Sequence, residues 1–398
     1  MDDGPHERPG APVHGLVMVR ASLRPGRQQD APAAAVARVA FAVLVALSLL
    51  GGISGGLLRY GVVVPGAGES AWLGRAGLSH AALMICTFLG TVIGLERAVA
   101  VKLTAAFAAP LASALAGVCL LAGQPQAAAW LLVAASLVFG WVNIVVVRRQ
   151  SAPHTQLLLA SAGTWLAGNL LFAAGESSAA VLPWWFAFLV MTIAAERLEM
   201  TRLMRRRPAA PGLLLAILSA MVAGAAWSWP SPRWGGVLYG LALLLLAWWL
   251  VTYDIARRTV FAQGLSRYMA VCLLGGYAWL GVAGFAWAAT ALGLPWRDAA
   301  LHALGLGFIF SMMMGHAPVI LPAIARVKLR FGWAFYVPLA ALHLSLAVRL
   351  GWGALEAAQR PAGATWNAAS ILLFAATVVG AAVAWRLGEG SASAPEHS

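Results

Sequence analysis

Four histidines, His80, His302, His316 and His343, sit within apolar stretches long enough to cross a membrane. An ionisable side chain at such depth is costly and marks a functional position by default, and neutral imidazole is the commonest metal ligand among side chains. His302 and His316 fall on one predicted helix. Their spacing puts them roughly 21 Å apart and roughly 40° apart in angle at ideal helical geometry, so they look out of similar faces and cannot hold one metal together. His80 and His302 lie at similar depth, near the same ends of two different predicted helices. Two imidazoles facing each other there would supply axial nitrogens to one haem iron; the plainer reading of each is a helix-start or interhelical hydrogen bond. His316 lies in Gly315-His316-Ala317-Pro318 with Met312 one turn earlier. Imidazole and thioether together suit haem iron or Cu(I), and His343 is the nearest partner in sequence. Core packing and a polar contact between helices are the plainer readings of Met312 and His343. Glu96-Arg97 and Glu196-Arg197 close two apolar runs, either as a proton entry point or as ion pairs that fix helix ends.

The elements that must position these residues follow from composition. With 398 residues, 61% of them hydrophobic and 10% charged, the chain is far from a soluble domain. Apolar runs of about 20 residues, the length that crosses the hydrocarbon of a bilayer, centre near Leu44, Thr87, Ala112, Ala135, Thr164, Phe188, Ser219, Leu243, Leu280, Phe310, Leu342 and Phe374. The expected fold is an all-α polytopic bundle of twelve transmembrane helices over residues 33–387, between disordered tails at 1–32 and 388–398. Most of the 27 Lys and Arg fall in the tails and even-to-odd loops, so both termini are expected in the cytoplasm of a bacterial-type inner membrane. The formal charge of +13 is then topological: Arg205-Arg206-Arg207 would meet anionic lipid headgroups, and nucleic acid is not an expected partner. Cys86, Cys119 and Cys272 fall inside spans with no CxxC spacing and read as reduced packing residues. Gly51, Gly52, Gly55 and Gly56 form a small-residue packing face, and Asn143, Asn169, Tyr277 and Asn367 are expected to bond between helices. Pro318 and Pro322 should bend or open the end of span 10.

An internal repeat supports the count. At an offset of 100, Phe88, Leu89, Ile93, Glu96, Arg97 and Leu103 recur as Phe188, Leu189, Ile193, Glu196, Arg197 and Leu203, so span 2 resembles span 6. At an offset of 221 Gly94 falls on Gly315 and His80 falls beside His302, which makes span 10 a weaker third copy. Recurrence every four helices would give three pseudo-symmetric four-helix units.

Twelve spans, four-helix units and histidines near the outer ends of spans 2 and 10 together resemble the catalytic subunit of haem-copper oxidases, in which those two helices hold the low-spin haem. That family carries further histidines on spans 6 and 7 and a second one two residues from the span-10 ligand. Here spans 6 to 8 have none, and Ala303 and Leu304 follow His302, which argues against an oxygen-reducing copper centre. Leu301-His302-Ala303-Leu304-Gly305-Leu306-Gly307 is similar to the opening of the late histidine helix in the NnrS family of membrane proteins. The family's Gly-His-Thr-Gly-Arg-like ending is replaced by Gly315-His316-Ala317-Pro318 and Ile324-Ala325-Arg326-Val327-Lys328. The resemblance implies haem, with copper as a further cofactor, and a small diatomic ligand such as nitric oxide. Axial ligation by His80 and His302 is expected, with His316, His343 and Met312 forming a second haem or copper site. Whether the protein turns over, and what its electron donor is, stay open. A twelve-helix secondary transporter is the main alternative. A cytochrome b-like quinol carrier would need a second helix with histidines fourteen apart, which is absent.

Overall fold

All twelve apolar runs fold as helices long and apolar enough to cross a membrane. The computed structural model describes residues 32–66, 68–200, 209–353 and 356–392. Among these every regular element is helical. The expected N-terminal tail up to residue 31, Arg205-Arg206-Arg207 and residues 393–398 lie outside the described residues; the last helix continues to Ala392, into the stretch expected to be a C-terminal tail. The chain divides into Met1–Val39 and Ala40–Ser398, and the description below concerns the described residues of the second, with the first residues of the helix that leads into it.

The spans are α1 (Val36–Arg59), α2 (Ala71–Val101), α3 (Thr104–Ala122), α4 (Pro125–Arg149), α5 (Pro153–Ala173), α6 (Ser178–Met200), α7 (Ala209–Trp227), α8 (Pro232–Tyr253), α9 (Gly264–Ala291), α10 (Arg297–Ala325), α11 (Trp333–Trp352) and α12 (Arg360–Leu387). Proline opens α4, α5 and α8, where its missing N–H costs nothing and its fixed φ favours the first turn. Leu115, Leu137, Leu245 and Leu373 stay exposed, as side chains that face lipid must. The protein is therefore a multi-pass membrane protein.

Successive helices from α2 to α10 pack against one another, while α2, α6 and α10 also meet in the middle. These three are the most buried spans, at 61, 78 and 67% of their central windows. They are also the spans linked by the repeat. Two local features recur in α2 and α10 and strengthen that link. Both carry a π-helical stretch, Leu83–Leu89 and Ala303–Phe310, and both end on a basic residue in the left-handed conformation, Lys102 at φ 58° and Arg326 at φ 54°.

Three local expectations change. α10 does not open at its prolines: the α-helical part runs unbroken from Ser311 to Ala325, because residues four apart lie on one face and confine the lost hydrogen bonds there. Asn143 bonds the Phe139 carbonyl of its own helix, at 2.9 Å, and not a neighbour. The ideal angle between His302 and His316 does not apply, since the π-helical stretch between them changes the winding. Asn169, by contrast, does bridge helices, donating to Leu132 O and accepting from Trp185 Nε1, both at 2.9 Å.

Most of the exposed tryptophans lie at one end of the bundle, Trp72, Trp227, Trp234, Trp296, Trp352 and Trp366 among them, while Trp248 and Trp333 lie toward the other, as indole rings do at membrane–water boundaries. At the Trp72 end α1 lies close on α2. A Cβ added to Gly55 would stand 2.2 Å from the Ala76 carbonyl oxygen, whereas one added to Gly163 would meet nothing within 4 Å. Gly55→Ala should therefore cost about 1–3 kcal/mol through forced separation of the two backbones, read as a lower unfolding midpoint in detergent, and Gly163→Ala should leave the midpoint in place or raise it.

Candidate functional site

His80 stands three residues before the π-helical stretch of α2 and His302 directly before that of α10. Such stretches are frequent at functional sites. Here they bring the two rings to a centroid separation of 6.3 Å with planes 24° apart. Each ring is held through Nδ1, which leaves Nε2 as its ligand atom. His80 Nδ1 bonds Gly52 O at 2.7 Å, and the ring rests on Gly56, where an added Cβ would come within 2.8 Å of Cε1. His302 Nδ1 is 2.7 Å from Asp298 Oδ1, one helical turn back, and 3.1 Å from the Asp298 carbonyl oxygen.

Asp298 is the hub of this end. Arg349, buried on α11 within the π-helical turn Val348–Trp352, grips both carboxylate oxygens, with Nε to Oδ2 at 3.1 Å and Nη2 to Oδ1 at 2.8 Å. The Tyr60 hydroxyl donates to the same Oδ1, and the guanidinium lies 4.5 Å over the Tyr60 ring. Arg349 Nη2 is also 3.3 Å from His302 Nδ1 and 3.2 Å from Nε2. Nη2 is thus shared between the Asp298 carboxylate and the His302 ring, and the guanidinium would have to turn from Nε2 for that nitrogen to take a metal. Burial, opposed by Arg349 and reinforced by the Asp298 carboxylate, raises the Tyr60 phenol above its ordinary value.

Both histidines line a cavity of about 430 Å³ bordered by α1, α2, α6, α10, α11 and α12. Its walls are apolar, with Leu57, Ile85, Leu182, Phe186 and Phe310 among them, while Arg59, Arg297, Asp298 and Arg349 crowd one end. That volume and that pattern, apolar walls with a few placed polar groups, characterise a small-molecule or cofactor site.

The other expected site residues gather at the opposite ends of α2, α6 and α10. The two copies of the Glu-Arg pair meet: Arg97 reaches Glu196 at 3.2 Å and Glu96 at 3.7 Å. Arg197 donates to His316 Nε2 at 3.0 Å, and His316 Nδ1 bonds Met312 O at 2.7 Å. Asp254, after α8, faces Arg197 and Tyr277, and its burial pushes its carboxyl up against the opposing pull of Arg197. His343 is elsewhere: its Nδ1 accepts from Trp279 Nε1 at 2.8 Å, and Nε2 lies 3.5 Å from Ser311 Oγ. The Met312 thioether packs toward Gly276. His316, His343 and Met312 are thus not assembled around one point, and among the described residues no group of three or more His, Cys, Asp or Glu could hold a metal.

Sequence reasoning missed Asp298, Arg349 and Tyr60. Asp298 carries a local signal, since residues four apart share a helix face; Arg349 and Tyr60 reach the site only through tertiary packing.

Fold and site together define a class: a twelve-span membrane protein with a histidine pair on an apolar cavity near one membrane boundary. The chain belongs to the family described as a domain of unknown function (DUF8744), whose pattern matches residues 38–383. No curated protein matches it.

The raised Tyr60 phenol gives a direct test of this end of the bundle. Tyrosinate absorbance in wild type minus Tyr60→Phe should show a step above pH 10, and the stability that Tyr60 contributes should be intact below that pH and lost as pH rises through the step. A step at or below pH 10 contradicts the geometry.

Proposed function

We propose that this is an integral membrane haem protein in which His80 and His302 are the axial ligands, engaging nitric oxide or a related small ligand or passing electrons to it, as the NnrS resemblance implies. The observation that carries the reading is the ring separation. Metal–imidazole bonds are about 2 Å and a ring nitrogen sits about 1 Å from its ring centre, so two imidazoles that share one ion end-on have centres about 6 Å apart. The rings here are 6.3 Å apart, both with Nδ1 engaged, on an apolar cavity large enough for a cofactor.

The residues divide the work. His80 and His302 would hold the iron through Nε2, Gly52 and Asp298 would fix their orientation and tautomer, and the leucine, isoleucine and phenylalanine walls would give the group an apolar surround. Arg59 and Arg297 at the charged end suit carboxylates on the rim of a porphyrin. Bound haem would supply one-electron chemistry and an iron able to bind a diatomic ligand. A copper ion at His316 would need the Arg197 guanidinium to turn from Nε2. With the termini in the cytoplasm of a bacterial inner membrane, as the distribution of Lys and Arg supports, the histidine pair lies toward the outer face and the Glu-Arg cluster toward the inner. The rival transporter reading would favour broken helices at corresponding positions; α10 runs unbroken through Pro318 and Pro322.

Absorption spectra of the purified protein decide the matter. Wild type should show a Soret band, and His302→Ala and His80→Ala should each lose most of it or change its position and spin-state features. A colourless wild type, or a band untouched by both substitutions, overturns the proposal.

A further inference from the structure

The two histidines are held by different acceptors. His80 gives its Nδ1 proton to a neutral backbone carbonyl, while His302 gives its own to a carboxylate that is itself gripped by a guanidinium and a phenol. A carboxylate pulls harder on the ring proton than a carbonyl does, and draws the imidazole toward imidazolate, a stronger donor to a metal.

We propose that Asp298 is a positioning residue that acts through His302 to make it the stronger donor of the axial pair, and that Arg349 moderates this effect by sharing the carboxylate's charge. The inference rests on the haem reading and deepens it. Geometry supports it in three ways. Asp298 is four residues before its histidine on one continuous helix turn, so their alignment is built into α10 and needs no loop. The carboxylate is held by two further donors, from the end of α1 and from α11, so it cannot rotate away. The guanidinium that bridges it is buried, so solvent screens neither charge strongly.

A stronger anionic donor stabilises ferric over ferrous iron and lowers the reduction potential. Removing the carboxylate's charge should raise the potential, and removing the guanidinium should lower it, because the carboxylate is then free to pull harder on the Nδ1 proton while Tyr60 keeps it in place. The two substitutions are therefore expected to move the potential in opposite directions.

The experiment is redox titration of the haem-loaded wild type, Asp298→Asn and Arg349→Met, with ferric low-spin EPR spectra of all three. Asp298→Asn should titrate above wild type and Arg349→Met below it. The spread of g values should widen in the first and narrow in the second, a signature of ligand strength that a merely structural role would not move. Should Asp298→Asn fail to fold, Arg349→Met decides alone, and a potential at or above wild type overturns the inference. Haem-loaded variants with the wild-type potential and spectrum also overturn it while leaving the haem reading in place. A wild type that binds no haem removes both.

Discussion

The charged end of the cavity depends on one buried ion pair. Arg349 is only 4% exposed, and a guanidinium at that depth is tolerable only with a carboxylate in good geometry and its remaining donors engaged. Asp298 supplies the carboxylate through a two-point grip, and the same group fixes the tautomer of His302 and accepts the hydrogen bond of the Tyr60 hydroxyl. One side chain thus joins the end of α1, the start of α10 and the end of α11. Without it, Arg349 would be an uncompensated charge, His302 would lose the partner that orients it, and three helix ends would lose their common tie.

The opposite ends of the central helices use the same physics for a different result. Glu96, Arg97, Glu196 and Arg197, two copies of one motif, interlock across α2 and α6, with His316 of α10 drawn in by Arg197. Here the ring has both nitrogens occupied by the protein, so it serves as a hydrogen-bonding partner within the network. His316 and the His80–His302 pair differ in what surrounds them: the first sits in a charged network, the second on an apolar cavity.

How much of this was legible in the sequence varies with the range of the interaction. Span number and position were readable because apolar length is a local property, and each of the twelve centres falls within a helix. That His80 and His302 lie near each other was readable from their matched depth, and that the Glu96-Arg97 and Glu196-Arg197 pairs are copies from the repeat, although the contact between the two pairs was not foreseen. The pairing of His316 with His343 and Met312 rested on ideal helical winding and on nearness in sequence. The π-helical stretch at Ala303–Phe310 altered the winding, and Arg197, more than a hundred residues away, claimed the ring. π-Helical stretches leave no periodic trace, and a partner such as Arg349 is indistinguishable in sequence from any other arginine at a helix end.

The exposed tryptophans at the start of α2 and α10 mark how deep the histidine pair lies. Trp72 precedes His80 by eight residues and Trp296 precedes His302 by six, which at about 1.5 Å per residue places the pair on the order of 10 Å beneath the plane of the indoles. That is shallow for a site walled by six helices. On the proposed reading, a water-soluble redox partner could dock against the headgroup surface and exchange electrons by tunnelling, while a lipid-soluble gas would reach the same metal sideways, so the two reactants need never share a route.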